Sequence, residues 1–367
     1  MIQVFSQNDL RPEERVALSL RSLYRGYGYQ PFKMGKFEEY DYYVKNKEFL
    51  VGDGVITFND TNGRLLALKP DVTLSIIKST RFEKGVKQKL FYDENVYRVS
   101  QSTHRYKEIM QTGLECIGDL DAYDIYEAVL LAAESLDKIS PRFMLDISHM
   151  GLLSALLDDV SSDTAFRTEV IRLLGEKNSH EMKMLCKEKG VSPRSEEKLL
   201  KLFSLYGAPD AVLPCLRSLC ESDAAKENYE SLAALAALLS KTPYVDRIRI
   251  DFSVVNNMSY YNGIVMKGFL EGISEGVLSG GEYGALLRRM SRPGNAVGFA
   301  LYLDVIADAL YESREYDVDV LLIAENASLS EICLAVSKIR EEGKSVSLQR
   351  ACPSRLRARE TVVLKGE

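Results

Sequence analysis

The chain has 367 residues, and 47 Lys and Arg against 53 Asp and Glu give it a formal net charge of −6. Hydrophobic residues make up 46% and charged residues 27%, a balance that excludes a wholly disordered chain. At roughly 100–200 residues per domain, the length predicts two or three domains. The mild acidity argues against a general polyanion-binding surface, so we expect no nucleic-acid partner.

The sequence shows no clear targeting segment and no metal-binding motif. No apolar run approaches the ~20 residues that span a membrane, and the opening MIQVFSQNDLRPEER lacks the apolar core of a signal peptide. The 6 cysteines are scattered without a CxxC pair, as in reduced cytosolic proteins. The 3 histidines, His104, His149 and His180, lack metal-ligand spacing. We therefore expect a cytoplasmic protein without a metal or other cofactor.

The first part of the chain mixes one helix with extended segments. Apolar spacing predicts a helix over residues 12–27, and the tyrosine-rich run from Tyr29 to Tyr43 is interpreted as extended. Residues 54–68 form a predicted hairpin around an Asn-Gly turn. Asp71 and Thr73 then supply capping side chains for a following helix.

A strand pair is predicted next. KLFYDENVYRVS (89–100) and IMQTGLECIG (109–118) alternate in polarity and flank the polar loop QSTHRYKE. A helix over 121–137 and a strand over 142–148 follow.

The remaining chain adds a helical insertion and a small terminal unit. Residues 150–242 show helical periodicity, with predicted breaks at Pro193, Gly207–Pro209 and Pro214. Strands return at 244–255 and 263–272, and a strand-to-helix segment closes the region. The predicted fold is α+β, a mostly antiparallel sheet with flanking helices, divided into a core over 1–315 and a small α/β domain over 316–367. No dinucleotide-binding or phosphate-loop glycine pattern is present.

One group of polar residues stands out on the predicted strand pair. Gln111, Gly113 and Glu115 share one strand face, with the glycine leaving space between the longer side chains. Arg98 lies on the neighbouring strand. A guanidinium beside carboxylates suits a small zwitterion. The alternative is an ion-pair ladder on a solvated sheet face.

The same segments resemble the catalytic core of class II aminoacyl-tRNA synthetases, and histidyl-tRNA synthetase in particular. LKPDVT (68–73) is similar to the family's LRPEGT, and VYRVSQSTHRYKEIMQTGLECIG is similar to its second class motif. NNMSYYNGIVMKG (256–268) resembles the histidine-specific RGLDYYTGxVFE, and GGEYGAL (280–286) resembles GGRYDGL. AVGFALYLDVI (296–306) resembles the third class motif.

The departures from that pattern concern the ATP site. The arginine of RGLDYY falls on Asn256, the arginine of the third class motif on Val305, and the glutamate after the second-motif arginine on Ser100. Charge that develops on the α-phosphate needs fixed cations, and removing one such stabiliser costs about 10²–10³ in rate. The terminal unit is also about half the size of a synthetase anticodon-binding domain. The resemblance therefore implies a chain without synthetase activity.

The histidine pocket, by contrast, is retained. The resemblance assigns to it Asp71, Thr73, Arg98, Gln111, Glu115, Tyr260 and Tyr261, with Arg105 as a residual anion site. A chain with this pocket resembles the regulatory subunit family of ATP phosphoribosyltransferase, the first enzyme of histidine biosynthesis.

That resemblance also implies partners. It implies a short catalytic partner subunit, L-histidine as feedback effector and a hetero-octamer. A homodimer through the segment Gly28–Glu38 is expected within it, although the family's proline there falls on Gly35. The alternative is a histidyl-tRNA synthetase, or another paralogue that binds RNA or a different amino acid.

Overall fold

The computed structural model describes residues 10–45, 54–100, 103–255, 260–310 and 315–366. The chain divides into two compact units, Met1–Leu310 and Tyr311–Glu367. The predicted boundary between residues 315 and 316 and the limits of the helical insertion stay predictions. Within the described ranges, no helix is long and apolar enough to cross a membrane.

Strands of the larger unit make a large and a small sheet. In chain order they are β1 (Gln30–Pro31), β2 (Phe37–Glu39), β3 (Thr57–Asn59), β4 (Leu65–Leu68), β5 (Lys87–Val99), β6 (Tyr106–Gly118), β7 (Phe143–His149), β8 (Tyr206–Gly207), β9 (Ile248–Asp251), β10 (Ile264–Leu270), β11 (Leu278–Glu282) and β12 (Asn295–Tyr302). The large sheet has the order β1-β5-β6-β12-β11-β10-β7-β9-β8, and the small one β2-β4-β3.

The helices of this unit flank the large sheet or form the segment between β7 and β9. They are α1 (Pro12–Gly26), α2 (Tyr40–Lys45), α3 (Thr73–Ser79), α4 (Ala122–Ile139), α5 (Met150–Asp158), α6 (Thr164–Gly175), α7 (Ser179–Glu188), α8 (Pro193–Ser204), α9 (Pro209–Arg217), α10 (Asp223–Leu239), α11 (Gly284–Arg289) and α12 (Leu303–Leu310).

Most neighbours in the large sheet are antiparallel, since only the pairs β1–β5 and β7–β9 run parallel among its described strands. Strand β5 pairs with β6 as the alternation predicted. This sheet with its flanking helices confirms the α+β, class II synthetase-like fold.

Helices α1 and α4 pack on one face of the central strands and leave the other face for the site. The ring of Tyr24 in α1 lies 6.1 Å from that of Phe91 and 6.2 Å from that of Phe299. Leu114 belongs to the same core. Because side chains alternate along a strand, the neighbours of Leu114 in β6, Gly113 and Glu115, point to the opposite face.

Part of the tyrosine-rich run is helical, so the extended interpretation of Tyr29–Tyr43 is wrong over α2. Tyr43 is buried, and its hydroxyl donates a hydrogen bond to Glu38 at 2.5 Å. The Tyr42 hydroxyl donates to the carbonyl of Leu74 at 2.7 Å. Tertiary contacts of these two rings override the strand preference of tyrosine.

Of the three breaks predicted within residues 150–242, one fails and two are confirmed. Pro214 lies inside α9 instead of ending a helix, because buried Val212 and Leu216 hold the helix against the core despite the lost backbone hydrogen bond. The break at Gly207–Pro209 is confirmed, since Tyr206 and Gly207 pair with β9 at the edge of the sheet and α9 begins at Pro209. The break at Pro193 is confirmed, as that proline opens α8.

The smaller unit is a compact α/β arrangement. Its described elements are β13 (Val318–Glu325), α13 (Leu329–Glu341), β14 (Val346–Gln349) and β15 (Ala358–Lys365). The strands form a parallel sheet in the order β14-β13-β15.

Candidate functional site

A cavity of about 730 Å³ lies on the open face of the large sheet. Its volume falls in the ~300–1,000 Å³ range of small-molecule sites. The structure brings together at this cavity all of the histidine-pocket residues predicted from the sequence, namely Asp71, Thr73, Arg98, Gln111, Glu115, Tyr260 and Tyr261.

Glu115 is the most enclosed acid of the group. It lies on β6 opposite Gly298 of β12, and a Cβ atom at Gly298 would overlap Oε2 of Glu115. The glycine therefore makes room for the carboxyl group. Thr73 Oγ1 donates a hydrogen bond to Oε1 at 2.8 Å, and the Tyr283 hydroxyl donates to Oε2 at 2.5 Å.

Burial and hydrogen bonding oppose each other at this carboxyl group. Burial and, to a smaller extent, nearby Asp71 raise the pKa of Glu115, the hydrogen bonds from Tyr283 and Thr73 lower it, and the resulting pKa is about 8. Without a ligand, the site therefore holds a carboxyl group that is largely protonated at pH 7.

Asp71 and Arg98 form a second polar group beside the start of α3. The backbone N–H of Leu74 donates to Asp71 Oδ1 at 2.9 Å, and the Arg98 guanidinium lies 3.9 Å from Oδ2. Arg98 Nε also donates to the carbonyl of Pro70 at 2.8 Å, which holds the guanidinium in place. Burial raises the pKa of Asp71, and the Arg98 charge opposes that effect.

Of the two side chains predicted to cap α3, only one does so. Asp71 accepts the hydrogen bond of a first-turn amide, as expected. The Thr73 hydroxyl donates to Glu115 instead, so the competing acceptor on β6 takes it away from the helix end.

Aromatic rings enclose one side of the cavity. The ring centroids of Tyr260 and Tyr261 are 4.6 Å apart, and those of Tyr260 and Tyr283 are 5.7 Å apart. Burial raises the pKa of each of these phenols, so they act as neutral hydrogen-bonding groups.

The open space predicted above Gly113 is absent. Tyr92 lies opposite Gly113 in the β5–β6 register, and a Cβ atom at Gly113 would come 2.7 Å from the Tyr92 hydroxyl oxygen and would overlap the Phe299 carbonyl oxygen. The glycine thus admits a ring and a neighbouring strand, and the space in the site is provided by Gly298.

Sequence reasoning missed three tyrosines that line the cavity: Tyr92, Tyr283 and Tyr302. Tyr283 belongs to the GGEYGAL segment that resembles a family motif, so a signal for it was present. Tyr302 lies opposite Gln111 in the register of β12 with β6. Its place at the site follows only from that pairing.

Arg105 is not brought into the cavity. It lies just before β6 with an exposed side chain and is absent from the lining. Val305, which replaces a family arginine, lies on α12 and packs against the main core. Asn256 and Ser259 fall outside the described residues.

Comparison with known proteins agrees with the predicted resemblance. A family model described as histidyl-tRNA synthetase matches residues 2–306. An ATP phosphoribosyltransferase regulatory subunit from Geobacillus kaustophilus is 30% identical over 296 residues, which cover 79% of this chain and 75% of that protein.

Two solved structures share the fold. One, described as an ATP phosphoribosyltransferase regulatory subunit/histidyl-tRNA synthetase from Bacillus halodurans C, is 26% identical with a TM-score of 0.79 and covers 97% of this chain and 94% of its own. A chain of the ATP phosphoribosyltransferase HisG:HisZ complex from Thermotoga maritima is 21% identical, with a TM-score of 0.62 over 81% of this chain and 97% of its own. The chain described here therefore belongs to the histidyl-tRNA synthetase-like family of ATP phosphoribosyltransferase regulatory subunits.

Proposed function

We propose that this regulatory subunit binds L-histidine in the cavity, activates a short catalytic subunit of ATP phosphoribosyltransferase, and conveys feedback inhibition to it. The observation that carries the proposal is the convergence of the predicted residues on one cavity around the buried Glu115. The effector is the end product of the pathway whose first enzyme the complex forms.

The polar groups match the parts of histidine. Glu115 pairs with the imidazole, and a ring of the Tyr260–Tyr261 pair covers its side. Asp71 and Thr73 bind the ammonium group, since the Thr73 hydroxyl keeps acceptor lone pairs while it donates to Glu115. Arg98 and Gln111 face the carboxylate end.

The subunit has no catalytic role of its own in this proposal. The apolar Val305 on α12 replaces a cation that the family uses for ATP phosphates, and Asn256 replaces another. Without these charges the α-phosphate is not stabilised during attack. We expect no ATP–pyrophosphate exchange with histidine, with or without tRNA, and exchange above a no-protein control contradicts this part.

Regulation requires a partner whose states histidine can distinguish. The Thermotoga maritima assembly is a HisG:HisZ complex, which supports a catalytic partner for this chain. Histidine shifts the complex only by the difference in its affinity for the active and inhibited arrangements. A coupling of about 1–3 kcal/mol, or 5–150-fold, is typical.

The assembly includes a homodimer through the segment Gly28–Glu38 and the small sheet that the end of this segment enters. On the small sheet, Phe37, Phe58, Leu66 and Leu68 share one face by the register of the strands. Phe37 is 58% and Phe58 36% exposed, and their rings lie 5.4 Å apart. A second copy related by two-fold symmetry buries this face, and such dimers enter a hetero-octamer with the catalytic subunit.

The protein acts in the cytoplasm in this proposal. Its six cysteines are all free thiols, as is usual in that reducing compartment.

Reconstitution with a short catalytic subunit tests the proposal. Addition of the wild-type chain should raise the phosphoribosyltransferase rate, and histidine should then lower it. The Gln111→Ala/Glu115→Ala chain should still activate but respond to histidine only at much higher concentrations. A Gln88→Ala chain, changed on β5 outside the lining, is the matched control. Equal inhibition with the double variant places the sensor elsewhere, and an unchanged rate on adding the wild-type chain overturns the regulatory role.

A further inference from the structure

The cavity continues across the sheet well beyond Glu115. Its far end is lined by Asp146 on β7, Asp251 on β9, Lys267 on β10 and Lys177 just after α6. The strand registers place Gly113, Ala300, Ser279, Lys267 and Asp146 in one row across the sheet. Four steps between strands at about 4.8 Å each separate the ends by about 19 Å. An amino acid bound at Glu115 therefore does not reach Asp146.

Asp146 is a buried acid without a full set of partners. It is 7% exposed, and within the described part of the chain its Oδ1 atom has no hydrogen-bond partner. Burial and the Asp251 charge raise the pKa of Asp146, the Lys177, Arg249 and Lys267 charges lower it, and the resulting pKa is about 6. A buried carboxyl oxygen without a hydrogen bond is costly, so a ligand N–H that reaches Oδ1 of Asp146 gains a favourable partner there.

The neighbouring acid is already satisfied. Asp251 Oδ1 accepts a hydrogen bond from the Ser253 N–H at 2.7 Å, and Oδ2 lies 3.0 Å from Lys177 Nζ. The Asp251–Lys177 ion pair therefore forms part of the cavity wall, and Asp146 is the acid that is available to bind a cationic group.

Lys267 supplies the opposite charge. It lies next to Asp146 in the register, has an exposed side chain and places Nζ 5.4 Å from the centre of the Phe269 ring. A metal ion brings no anionic group to offset the lysine ammonium groups on this wall. A molecule that carries both an ammonium and a carboxylate group meets both charges.

We propose that the far end of the cavity is a second binding site, for an α-amino acid whose ammonium group pairs with Asp146 and whose carboxylate pairs with Lys267. This site is separate from the proposed histidine site at Glu115, and each can exist without the other.

Isothermal titration of the Gln111→Ala/Glu115→Ala chain with each of the twenty L-amino acids tests this proposal, because that chain lacks the first site. At least one amino acid should saturate one site per chain. Its amide, which lacks the carboxylate, and its N-acetyl derivative, which lacks the ammonium, should each bind about tenfold or more weakly.

Two further variants test the residues. Asp146→Asn and Lys267→Gln, added to the double variant, should each weaken binding about tenfold or more. Asp137→Asn, at an exposed position of α4 outside the lining, should leave it unchanged. Because Lys267 is exposed, Lys267→Gln should fold normally, and it still tests the site if Asp146→Asn disturbs folding.

The outcomes separate the two sites. If histidine binds the wild-type chain but no amino acid binds the double variant, the second site is overturned and the proposed function stands. Binding that Asp146→Asn or Lys267→Gln leaves unchanged also overturns it. Binding to the double variant that both changes weaken supports the second site, even if histidine fails to bind at Glu115.

Discussion

Glu115 shows how a single residue couples burial to ligand choice. Its carboxyl group is buried against Gly298, and its oxygens accept hydrogen bonds from Thr73 and Tyr283. Burial favours the neutral form, so the site gains most from a ligand that can either accept the carboxyl proton or donate an N–H to the carboxylate. An imidazole, which takes up or releases a proton near neutral pH, fits this requirement.

We expect histidine affinity to have a maximum in pH. Glu115 has a pKa of about 8 in the free chain, whereas a free imidazole has one of about 6.5. In the complex, one proton is shared between imidazole and carboxyl group. Below about pH 6.5 binding must release a proton, and above about pH 8 it must take one up, so affinity falls on both sides by up to about tenfold per pH unit.

Calorimetric titration from pH 5.5 to 9.5, a range that brackets the pKa of Glu115, checks this expectation. Titration in buffers of different ionisation enthalpy should show proton release at the acid end and uptake at the alkaline end. In the Glu115→Gln chain the alkaline fall should become shallower and keep only the part that comes from deprotonation of the ligand's ammonium group. Affinity that stays constant to pH 9.5 in the wild-type chain contradicts the assignment.

Gly298 offers a steric test at the same place. In Gly298→Ala the new Cβ atom would overlap Oε2 of Glu115, so the carboxyl group must move away from Tyr283. Overpacking of this kind costs about 1–3 kcal/mol of unfolding free energy, and histidine binding should be lost with it.

Gly26→Ala is the matched control for this change. Gly26 ends α1, and a methyl group added there would have no heavy atom within 4 Å, so stability and binding should stay within error of the wild type. Urea unfolding and calorimetry measure the two effects, and a Gly298→Ala chain with normal histidine affinity would show that Glu115 tolerates displacement.

Among the elements, α4 fixes the sheet that carries the site. It packs on β7, β10 and β12 from the side opposite the cavity. Asp121 Oδ1 accepts the N–H of Tyr123 at 2.8 Å, and Asp124 Oδ2 accepts the N–H of Asp121 at 2.9 Å. Asp124 also binds Lys87 of β5 at 2.7 Å, which ties the helix start to the sheet. The start of α4 is therefore defined by side chains.

Asp121→Ala should lower the unfolding free energy by about 1 kcal/mol, within the 0.5–2 kcal/mol typical of a lost helix cap. Urea denaturation measures it. Asp137→Ala, near the other end of the same helix, removes an exposed acid without a capping role and should not destabilise the chain. Equal losses in both variants would mean that the cap contributes nothing.

The elements also show what the sequence can and cannot predict. Alternation and turn residues were enough for the β5–β6 pair, for α1 and for α4, because these signals are local. The hydrogen bond from Tyr283 to Glu115 joins residues 168 positions apart, and no local pattern encodes it. The side chain of Asp146 was missed for the same reason, since its place in the cavity follows from the order of β7 and β10.

At the scale of the whole molecule, resemblance supplied what local patterns lacked. The order of the motifs brought Asp71, Glu115 and Tyr260 into one predicted pocket, and the cavity contains all of them. Arg105, assigned by the same route, lies outside the lining, because its side chain is exposed ahead of β6.

Assembly provides the last prediction. The exposed rings of Phe37 and Phe58 lie on one face of the small sheet, together with Leu66, Leu68 and Glu39, and we propose that a second copy covers this face. An aspartate in place of each of these two rings would bury a carboxylate in that interface without water around it. Phe37→Asp/Phe58→Asp should therefore sediment as a monomer at micromolar concentrations at which the wild-type chain is a dimer, with dimer affinity reduced about a hundredfold or more.

Met184→Asp is the control for this change, because Met184 is an apolar residue on α7, away from the small sheet, and is about as exposed as Phe37. That variant should remain a dimer in sedimentation velocity. A wild-type chain that is monomeric without its catalytic partner, or a double variant that still dimerises, would remove the small sheet from the interface. Since the dimer precedes the hetero-octamer in the proposal, the double variant should also fail to activate the catalytic subunit while its isolated chain still binds histidine.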